Sequence, residues 1–270
     1  MTQQPSNPAE VYEQYFVPAM FTPWAQVLLE RAAPLRGERV LDLACGTGAV
    51  ARLIAPMVGS SGSVIGLELS PAMLAVARKV RPQAGAQIEW REGDATALPF
   101  TDQSFDLVVC QQGLQFFPDR AAAAREVRRV LAPGGRAVLS IWQSLDHHDL
   151  YKALFSAVAG HLGTTAPAVA APFSFGDGRE LRGLFKTAMF GNVEVVSHTQ
   201  EVRFPSPDRF VQLTISAAAA VLPVFSKMGG DERASLITAV KQEIGPTLAR
   251  HTQGKFIAFP MTANFVIARA

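Results

Sequence analysis

The chain has 270 residues, of which 49% are hydrophobic and 18% are charged, a balance that supports one large domain or a core with a cap and excludes a largely disordered protein. Its formal net charge of only +2 argues against nucleic acid as a partner, because nucleic-acid-binding proteins usually carry a basic stripe. The sequence has no recognisable signal peptide and no apolar stretch of about 18 residues, so we expect a soluble, cytoplasmic protein without a membrane span.

The first predicted element is a helix near the N-terminus. Trp24, Val27 and Leu28 recur at helical spacing. They follow a segment that is rich in aromatic residues, namely Tyr12, Tyr15, Phe16 and Phe21.

Strand and helix patterns then alternate from Val40 to Trp142. Short apolar runs predict five strands, at 40–43, 63–67, 88–91, 105–110 and 137–142. Three helices are predicted between them, one after Gly48, one after Ser70-Pro71, and one from Pro118 to Val130 that ends at a turn at 133–135. This alternation indicates an α/β fold with a doubly wound, mostly parallel sheet. Ligands of such sheets bind at the carboxyl ends of the strands.

The pattern loosens beyond Trp142. A predicted helix at 153–160 is followed by a segment rich in alanine, proline and glycine, which runs to about residue 178. The remaining predicted elements are a strand at 193–203, a helix marked by Leu236, Ile237, Val240 and Ile244, and a final strand or hairpin at 256–268.

The two cysteines, Cys45 and Cys110, cannot form a disulfide framework or a zinc site. Each lies beside a predicted strand in an apolar context, so we expect two small buried side chains. No other group of residues suggests a metal centre, and we expect no metal.

The segment VLDLACGTGAV, residues 40–50, joins the first strand to a helix. Gly46, Gly48 and Ala51 fit a permissive dinucleotide-binding pattern, which is a weak signal on its own. No lysine follows the glycines, which excludes a Walker-type phosphate loop. Asp42 discriminates further, because its carboxylate would repel a pyrophosphate and attract a ligand with an ammonium or sulfonium centre. Asp42 could also organise the turn by bonding to the backbone, and the two roles are compatible.

Acidic residues also follow the next two strands. Glu68 ends the second strand, and Asp94 follows the third. Glu68 could accept hydrogen bonds from ribose hydroxyls, and Asp94 could reach an exocyclic adenine amine. Either acid alone could be an ordinary surface or turn residue, but acids at three successive strand ends indicate one ligand site.

Neutral amides follow the fourth strand, where a reacting centre would lie. Gln111, Gln112 and Gln115 can bond a ligand without adding charge. Leu114 and Phe116 in the same segment could simply pack against the following helix.

The order of these motifs resembles the class I S-adenosylmethionine-dependent methyltransferases, in the small-molecule branch that includes ubiquinone and menaquinone biosynthesis enzymes. The matching segments are LDLACGTG at 41–48, GLELSPAML at 66–74, EGDATALPF at 92–100, SFDLVVCQQGLQFFPD at 104–119 and REVRRVLAPGGRAVLSIW at 125–142. The resemblance implies a Rossmann-like fold with a seven-stranded, mostly parallel sheet whose last strand is antiparallel.

The resemblance also suggests how the chain is organised. We expect an N-terminal helical cover at 1–35, a cofactor-binding core at 36–142, cap segments at 143–255 with strand six near 193–203, and a closing strand at 256–270. Residues 204–255 replace a short connection of the family and would form an added helical cap over the substrate.

The family implies S-adenosyl-L-methionine as the cofactor and gives roles to the residues after each strand. Asp42, Ala44, Cys45, Gly46, Gly48 and Gln111 would surround the methionine part, Glu68 would bind the ribose, Leu69 and Met73 would flank the adenine, and Asp94 and Ala95 would meet its edge.

The implied reaction is transfer of a methyl group to oxygen, nitrogen or carbon of a small-molecule acceptor by in-line displacement, which depends mainly on orientation. We expect an aromatic or lipophilic acceptor. Its candidate contacts are Tyr15, Phe21, Gln115 and Trp142. If the acceptor requires a general base, His147 and His148 after the fifth strand are the candidates.

Two other functions are compatible with the same loop. An NAD-dependent oxidoreductase would use the glycine turn, although Asp42 and Asp94 count against it. A non-catalytic S-adenosylmethionine-binding protein would retain the cofactor pocket. No sequence feature sets an oligomeric state.

Overall fold

The computed structural model describes residues 7–80, 84–221 and 228–270. Residues 1–6 of the expected cover and 222–227 of the expected cap lie outside the described residues. The described chain falls into two compact units. One unit contains the N-terminal residues up to 20 with 143–174 and 199–262, and the other, the core unit, contains 21–142, 175–198 and 263–270.

The β-sheet has the predicted mixed architecture. Its strands are β1 (Arg39–Leu43), β2 (Ser63–Glu68), β3 (Ile88–Glu92), β4 (Phe105–Gln111), β5 (Leu131–Trp142), β6 (Asn192–Phe204), β7 (Thr252–Gln253) and β8 (Phe256–Arg269). The strand order is β3-β2-β1-β4-β5-β8-β6, and the short β7 pairs with β8. Strands β1 to β5 pair in parallel, whereas β8 runs antiparallel to β5. The doubly wound, mostly parallel sheet with an antiparallel closing strand is therefore confirmed. The described sheet has eight strands where seven were expected, because the two-residue strand β7 also pairs with β8.

Helices connect and flank these strands. They are α1 (Pro8–Val11), α2 (Thr22–Ala32), α3 (Ala49–Val58), α4 (Pro71–Lys79), α5 (Arg120–Val130), α6 (Asp149–His161), α7 (Ala166–Val169), α8 (Gly178–Thr187), α9 (Pro207–Val221), α10 (Gly230–Glu243) and α11 (Gly245–His251). The aromatic lead-in forms a π-helical segment, Tyr12–Phe21. Within the described ranges, no helix combines the length and apolarity needed to cross a bilayer.

The helix starts follow the local capping signals. The hydroxyl of Ser70 accepts a hydrogen bond from the N–H of Met73 at 3.4 Å, and Pro71 takes the first position of α4, as predicted. Asp119 caps α5 in the same way, since its carboxylate accepts from the N–H of Ala122 at 2.8 Å. Local sequence therefore sets where these two helices begin.

Helix α8 lies in a part of the chain to which the sequence pattern assigned no element. Asp177 caps its start by accepting from the N–H groups of Arg179 and Glu180. Leu181 and Phe185 are fully buried in the core cluster. The Asp-x-x-Glu pattern at 177–180, followed by apolar residues at helical spacing, was an available signal for this helix.

Strand β5 begins earlier than the sequence pattern predicts. Leu131 already pairs with Phe105, and the pairing then shifts so that Leu107 faces Arg136. The glycine turn at 133–135 thus lies within the strand as an irregularity. The expectation that the strand starts only after these residues is wrong, because Leu131 ahead of them and Arg136 after them both pair with β4.

Candidate functional site

The loop after β1 has a backbone that few residues adopt. Ala44, Gly46 and Gly48 have φ values of 55°, 56° and 86°, in the left-handed region where a β-carbon is disfavoured. The loop is tied to the neighbouring strand, since the N–H of Cys45 donates to the carbonyl of Leu67 at 3.0 Å. Non-local bonding therefore holds Ala44 in this conformation.

Asp42 lies beneath this loop. Its Oδ2 accepts a hydrogen bond from the N–H of Ala51 at 2.9 Å, in the first turn of α3, and its side chain is 1% exposed. Burial raises the pKa of Asp42 to about 7, and the nearby Glu68 carboxylate adds to the effect, whereas the Ala51 N–H and Arg52 oppose it. Asp42 thus organises the turn, and its charge responds readily to a nearby cation.

Glu68 joins the first two strand ends. Its carboxylate accepts from the N–H of Gly46 at 3.0 Å and from the N–H of Ser70 at 2.9 Å. A carboxylate has about four lone-pair sites, so this half-buried side chain keeps acceptor capacity for hydroxyl donors. The two bonds hold Glu68 at the mouth of the glycine loop.

Trp90 is a site residue that the sequence pattern did not reveal. In the register of the sheet, Asp42 pairs with Gly66, and Gly66 pairs with Trp90, so the three residues share one face. A β-carbon on Gly66 would lie 2.5 Å from the indole, and one on Gly48 would lie 2.2 Å from it. The ring of Trp90 therefore covers both glycines. Only strand register brings these residues together, so no local signal could have identified Trp90.

The residues predicted to contact adenine lie at the next strand ends. Leu69 is 64% exposed, Met73 is half-buried, Asp94 is exposed and Ala95 is buried. The carboxylate of Asp94 accepts from the N–H of Thr96 at 2.8 Å, and this bond lowers the pKa of Asp94. An exposed large apolar side chain at one strand end and an exposed carboxylate at the next suit a flat ligand with exocyclic N–H groups.

The glutamines after β4 are held by specific bonds. Nε2 of Gln111 donates to the carbonyl of Phe21 at 3.0 Å, which brings two predicted ligand contacts together. Gln112 has a left-handed φ of 55° and accepts from the backbone N–H of Trp142 at 2.8 Å. The ring of Trp142 is buried and packs edge-on against Trp24 at 4.8 Å between centroids.

Tyr15, His147 and His148 lie in the other unit. Tyr15 is buried against Phe204, and burial raises its pKa to about 12. His147 is exposed. His148 is 1% exposed, and burial lowers its pKa to about 4. His148 is therefore neutral near pH 7.

The cysteine prediction is confirmed. Cys45 and Cys110 are free, buried thiols, and burial raises the pKa of Cys110 to about 12. Neither thiol is ionised at neutral pH, so both serve as small packing groups.

The arginines near the end of α5 differ from one another in exposure. Arg125 is exposed, but Nε of Arg128 donates to the carbonyl of Met189 at 3.2 Å, and Arg129 pairs with Glu126 and Asp102. The three arginines, Asp102 and Met189 border a depression of about 380 Å³. It lies at the amino ends of β4 and β5, away from the loops described above.

Comparison with known proteins agrees with this geometry. Residues 40–135 match the model of a methyltransferase domain family. The demethylmenaquinone methyltransferase of Lactococcus lactis is 36% identical over 188 residues, covering 65% of this chain and 74% of that protein. The 2-phytyl-1,4-naphtoquinone methyltransferase of Synechococcus elongatus is 43% identical over 133 residues, covering 48% of this chain and 55% of that protein.

Among solved structures, the phosphoethanolamine N-methyltransferase 2 of Haemonchus contortus in complex with S-adenosyl-L-methionine is similar in fold. The TM-score is 0.60 at 20% identity, with 99% of this chain and 58% of that chain covered. The chain spans about half the length of the Synechococcus relative, but about three quarters of the Lactococcus one. By its sequence and its fold, this chain belongs to the class I S-adenosylmethionine-dependent methyltransferases.

Proposed function

We propose that the chain transfers a methyl group from S-adenosyl-L-methionine to a small, lipophilic aromatic acceptor of the quinone or hydroquinone class. The observation that carries this proposal is the pair of acids around the glycine loop, with Asp42 beneath the loop and Glu68 bonded to the N–H of Gly46 at 3.0 Å. The names of the two quinone-methylating relatives support the acceptor class.

The residues present suit this cofactor. A bound S-adenosylmethionine supplies an electrophilic methyl group on a positively charged sulfur. Glu68 would accept hydrogen bonds from the ribose hydroxyls, and Asp42 would favour the positive end of the molecule. Leu69 and Asp94 would contact the adenine. Two carboxylates around the loop would repel a dinucleotide pyrophosphate, and family membership likewise argues against the oxidoreductase alternative.

The chain's main contribution to the reaction is orientation. A sulfonium is a reactive methyl donor, so rate is gained mainly by aligning the nucleophile and excluding water. The aromatic side chains of Phe21 and Trp142, both in the core unit, are candidate contacts for a flat acceptor. His147 and His148 stay candidate bases. Because burial lowers the pKa of His148 to about 4, its neutral form is present throughout the neutral pH range, but it is a weaker base than an ordinary histidine.

Glu68→Ala tests the cofactor site directly. The variant removes charge-assisted bonds to the ribose, so we expect S-adenosylhomocysteine to bind more weakly by about 1–3 kcal/mol in titration calorimetry. Glu89→Ala is the matched control, because Glu89 is exposed and bonds Arg91 on the same strand. Unchanged affinity in Glu68→Ala would contradict the ribose role.

Activity is tested with S-adenosylmethionine carrying a labelled methyl group and a panel of hydroquinones and phenols. We expect label in the organic product, and mass spectrometry identifies the methylated atom. Tight cofactor binding with no turnover across the panel would instead favour the non-catalytic alternative.

A further inference from the structure

A chain of hydrogen bonds beyond β4 fixes the orientation of two glutamine amides. The backbone N–H of Trp142 donates to Oε1 of Gln112 at 2.8 Å. Because a backbone N–H can only donate, the Gln112 amide has a single orientation, with Nε2 directed to the hydroxyl of Ser140 at 3.4 Å. Nε2 of Gln115 donates to the same Oε1 at 3.2 Å. The carbonyl oxygen of Gln115 is then left as an acceptor.

That oxygen is buried without a donor. Gln115 is 3% exposed, and among residues 7–80, 84–221 and 228–270 its Oε1 has no hydrogen-bond partner. Buried carbonyls are nearly always paired, because an unpaired one loses its hydration without compensation. Flipping the amide does not help, since its oxygen would then face Oε1 of Gln112. The described residues therefore supply no donor for it, which leaves a water molecule, a residue outside the described ranges or a ligand group as the donor.

The turn that carries Gln115 lies directly against the glycine loop. A β-carbon added to Gly113 would lie 2.7 Å from Cβ of Ala44 and 2.8 Å from Sγ of Cys110. Strand β4 is also the direct neighbour of β1 in the sheet. The unpaired oxygen thus belongs to the loop next to the predicted cofactor site, at the edge where parallel sheets bind their ligands.

We propose that Oε1 of Gln115 accepts a hydrogen bond from a hydroxyl group of the methyl acceptor, an inference that rests on the proposed function. A neutral amide oxygen holds a hydroxyl proton without removing it and adds no charge to the site. An aromatic hydroxyl combines this donor with a flat apolar ring. Gln115 is then a specificity-determining residue that favours acceptors with a free hydroxyl over their methyl ethers.

Two naphthalenes test this proposal under anaerobic conditions. Calorimetry with saturating S-adenosylhomocysteine compares 1,4-dihydroxynaphthalene with 1,4-dimethoxynaphthalene, which lacks the donor. We expect the wild-type protein to prefer the dihydroxy compound by about tenfold or more. Gln115→Met has a similar length and volume but lacks Oε1. It is expected to bring the ratio of the two affinities close to one.

The donor to Oε1 of Gln115 could come from the hydroxyl of the acceptor or from the ammonium group of the cofactor, since both can donate a hydrogen bond. The affinity for S-adenosylhomocysteine distinguishes these two sources. We expect Gln115→Met to leave this affinity unchanged. Gln87→Met, at an exposed glutamine ahead of β3, is the matched control and should preserve the naphthalene preference. Thermal unfolding checks that each variant folds, and Gln115→Ala replaces Gln115→Met if the latter does not.

Three results would overturn the proposal. In the first, Gln115→Met still prefers the dihydroxy compound; in the second, Gln115→Met keeps that preference but binds S-adenosylhomocysteine more weakly. In the third, the wild-type protein binds S-adenosylhomocysteine but binds both naphthalenes equally well. A wild-type protein that fails to bind S-adenosylhomocysteine would instead overturn the proposed function.

Discussion

Asp42 has two roles, one in the structure of the glycine loop and one in the electrostatics of the site. The position of Asp42 ahead of the glycines predicts a negative charge near the ligand. In the structure the carboxylate is buried and accepts a hydrogen bond from the N–H of Ala51. A carboxyl with a pKa of about 7 changes its charge near neutral pH. Binding of a cationic ligand close to it must then favour the ionised form.

The ligand pair S-adenosylmethionine and S-adenosylhomocysteine measures this charge, because the first carries an extra positive charge on sulfur. As pH rises from 6 to 8, we expect the ratio of their affinities to shift towards S-adenosylmethionine by roughly three- to tenfold in the wild-type protein. Asp42→Asn keeps an acceptor for Ala51 but cannot ionise, so its ratio should stay flat. Calorimetry of both ligands at each pH gives the answer, and equal pH profiles in the two proteins would contradict the electrostatic role.

The register of neighbouring strands places Trp90 against the glycine loop. Strands β1, β2 and β3 align Asp42, Gly66 and Trp90 across the sheet. The absence of a side chain at Gly66 makes room for the indole, which also reaches Gly48. Trp90 is expected to hold the glycine loop from one side.

Gly66→Ala tests this packing. The new β-carbon would lie 2.5 Å from the indole and 3.0 Å from Sγ of Cys45, so the ring must move, and we expect a loss of about 1–3 kcal/mol in unfolding free energy. Trp90→Leu should reduce that loss in the double variant. Gly183→Ala is the control, because Gly183 lies in α8, a β-carbon added there would meet nothing within 4 Å outside its own helix backbone, and alanine favours helices. If Gly66→Ala lowers the unfolding free energy equally in the wild-type and Trp90→Leu backgrounds, the indole is not the reason that position 66 requires glycine.

For the whole molecule, two buried ionisable groups influence stability in opposite directions. The folded pKa of Asp42, about 7, lies above its ordinary 3.8, so its contribution to stability is full below about pH 4 and is lost as pH rises through 7. The folded pKa of His148, about 4, lies below its ordinary 6.5. Its contribution is full above about pH 6.5 and is lost as pH falls through 4.

Urea unfolding at a series of pH values from 4 to 8 separates the two contributions. Relative to the wild-type protein, Asp42→Asn should become progressively more stable as pH rises from 4 to 7, because it removes a buried charge. His148→Asn should lose less stability than the wild-type protein as pH falls from 6.5 to 4. Variant curves that run parallel to the wild-type curve would contradict the assigned titrations.

Local patterns were sufficient for much of the fold. Apolar periodicity predicts all five parallel strands, and the caps at Ser70 and Asp119 mark helix starts, because these features depend on residues close in sequence. The same rules missed α8 and placed the start of β5 too late. Pairing with β4 overrides the local turn signal there.

The amino-acid order by itself determined the succession of strands and helices, the glycine loop and the series of acids after the strands. These features depend on residue spacing and capping over short distances in the sequence. Three further features exist only in the folded chain: Asp42 is buried with a raised pKa, Trp90 covers two glycines, and Gln115 retains an unpaired oxygen among the described residues. Each of these depends on strand register and burial, which bring together residues that are far apart in the chain.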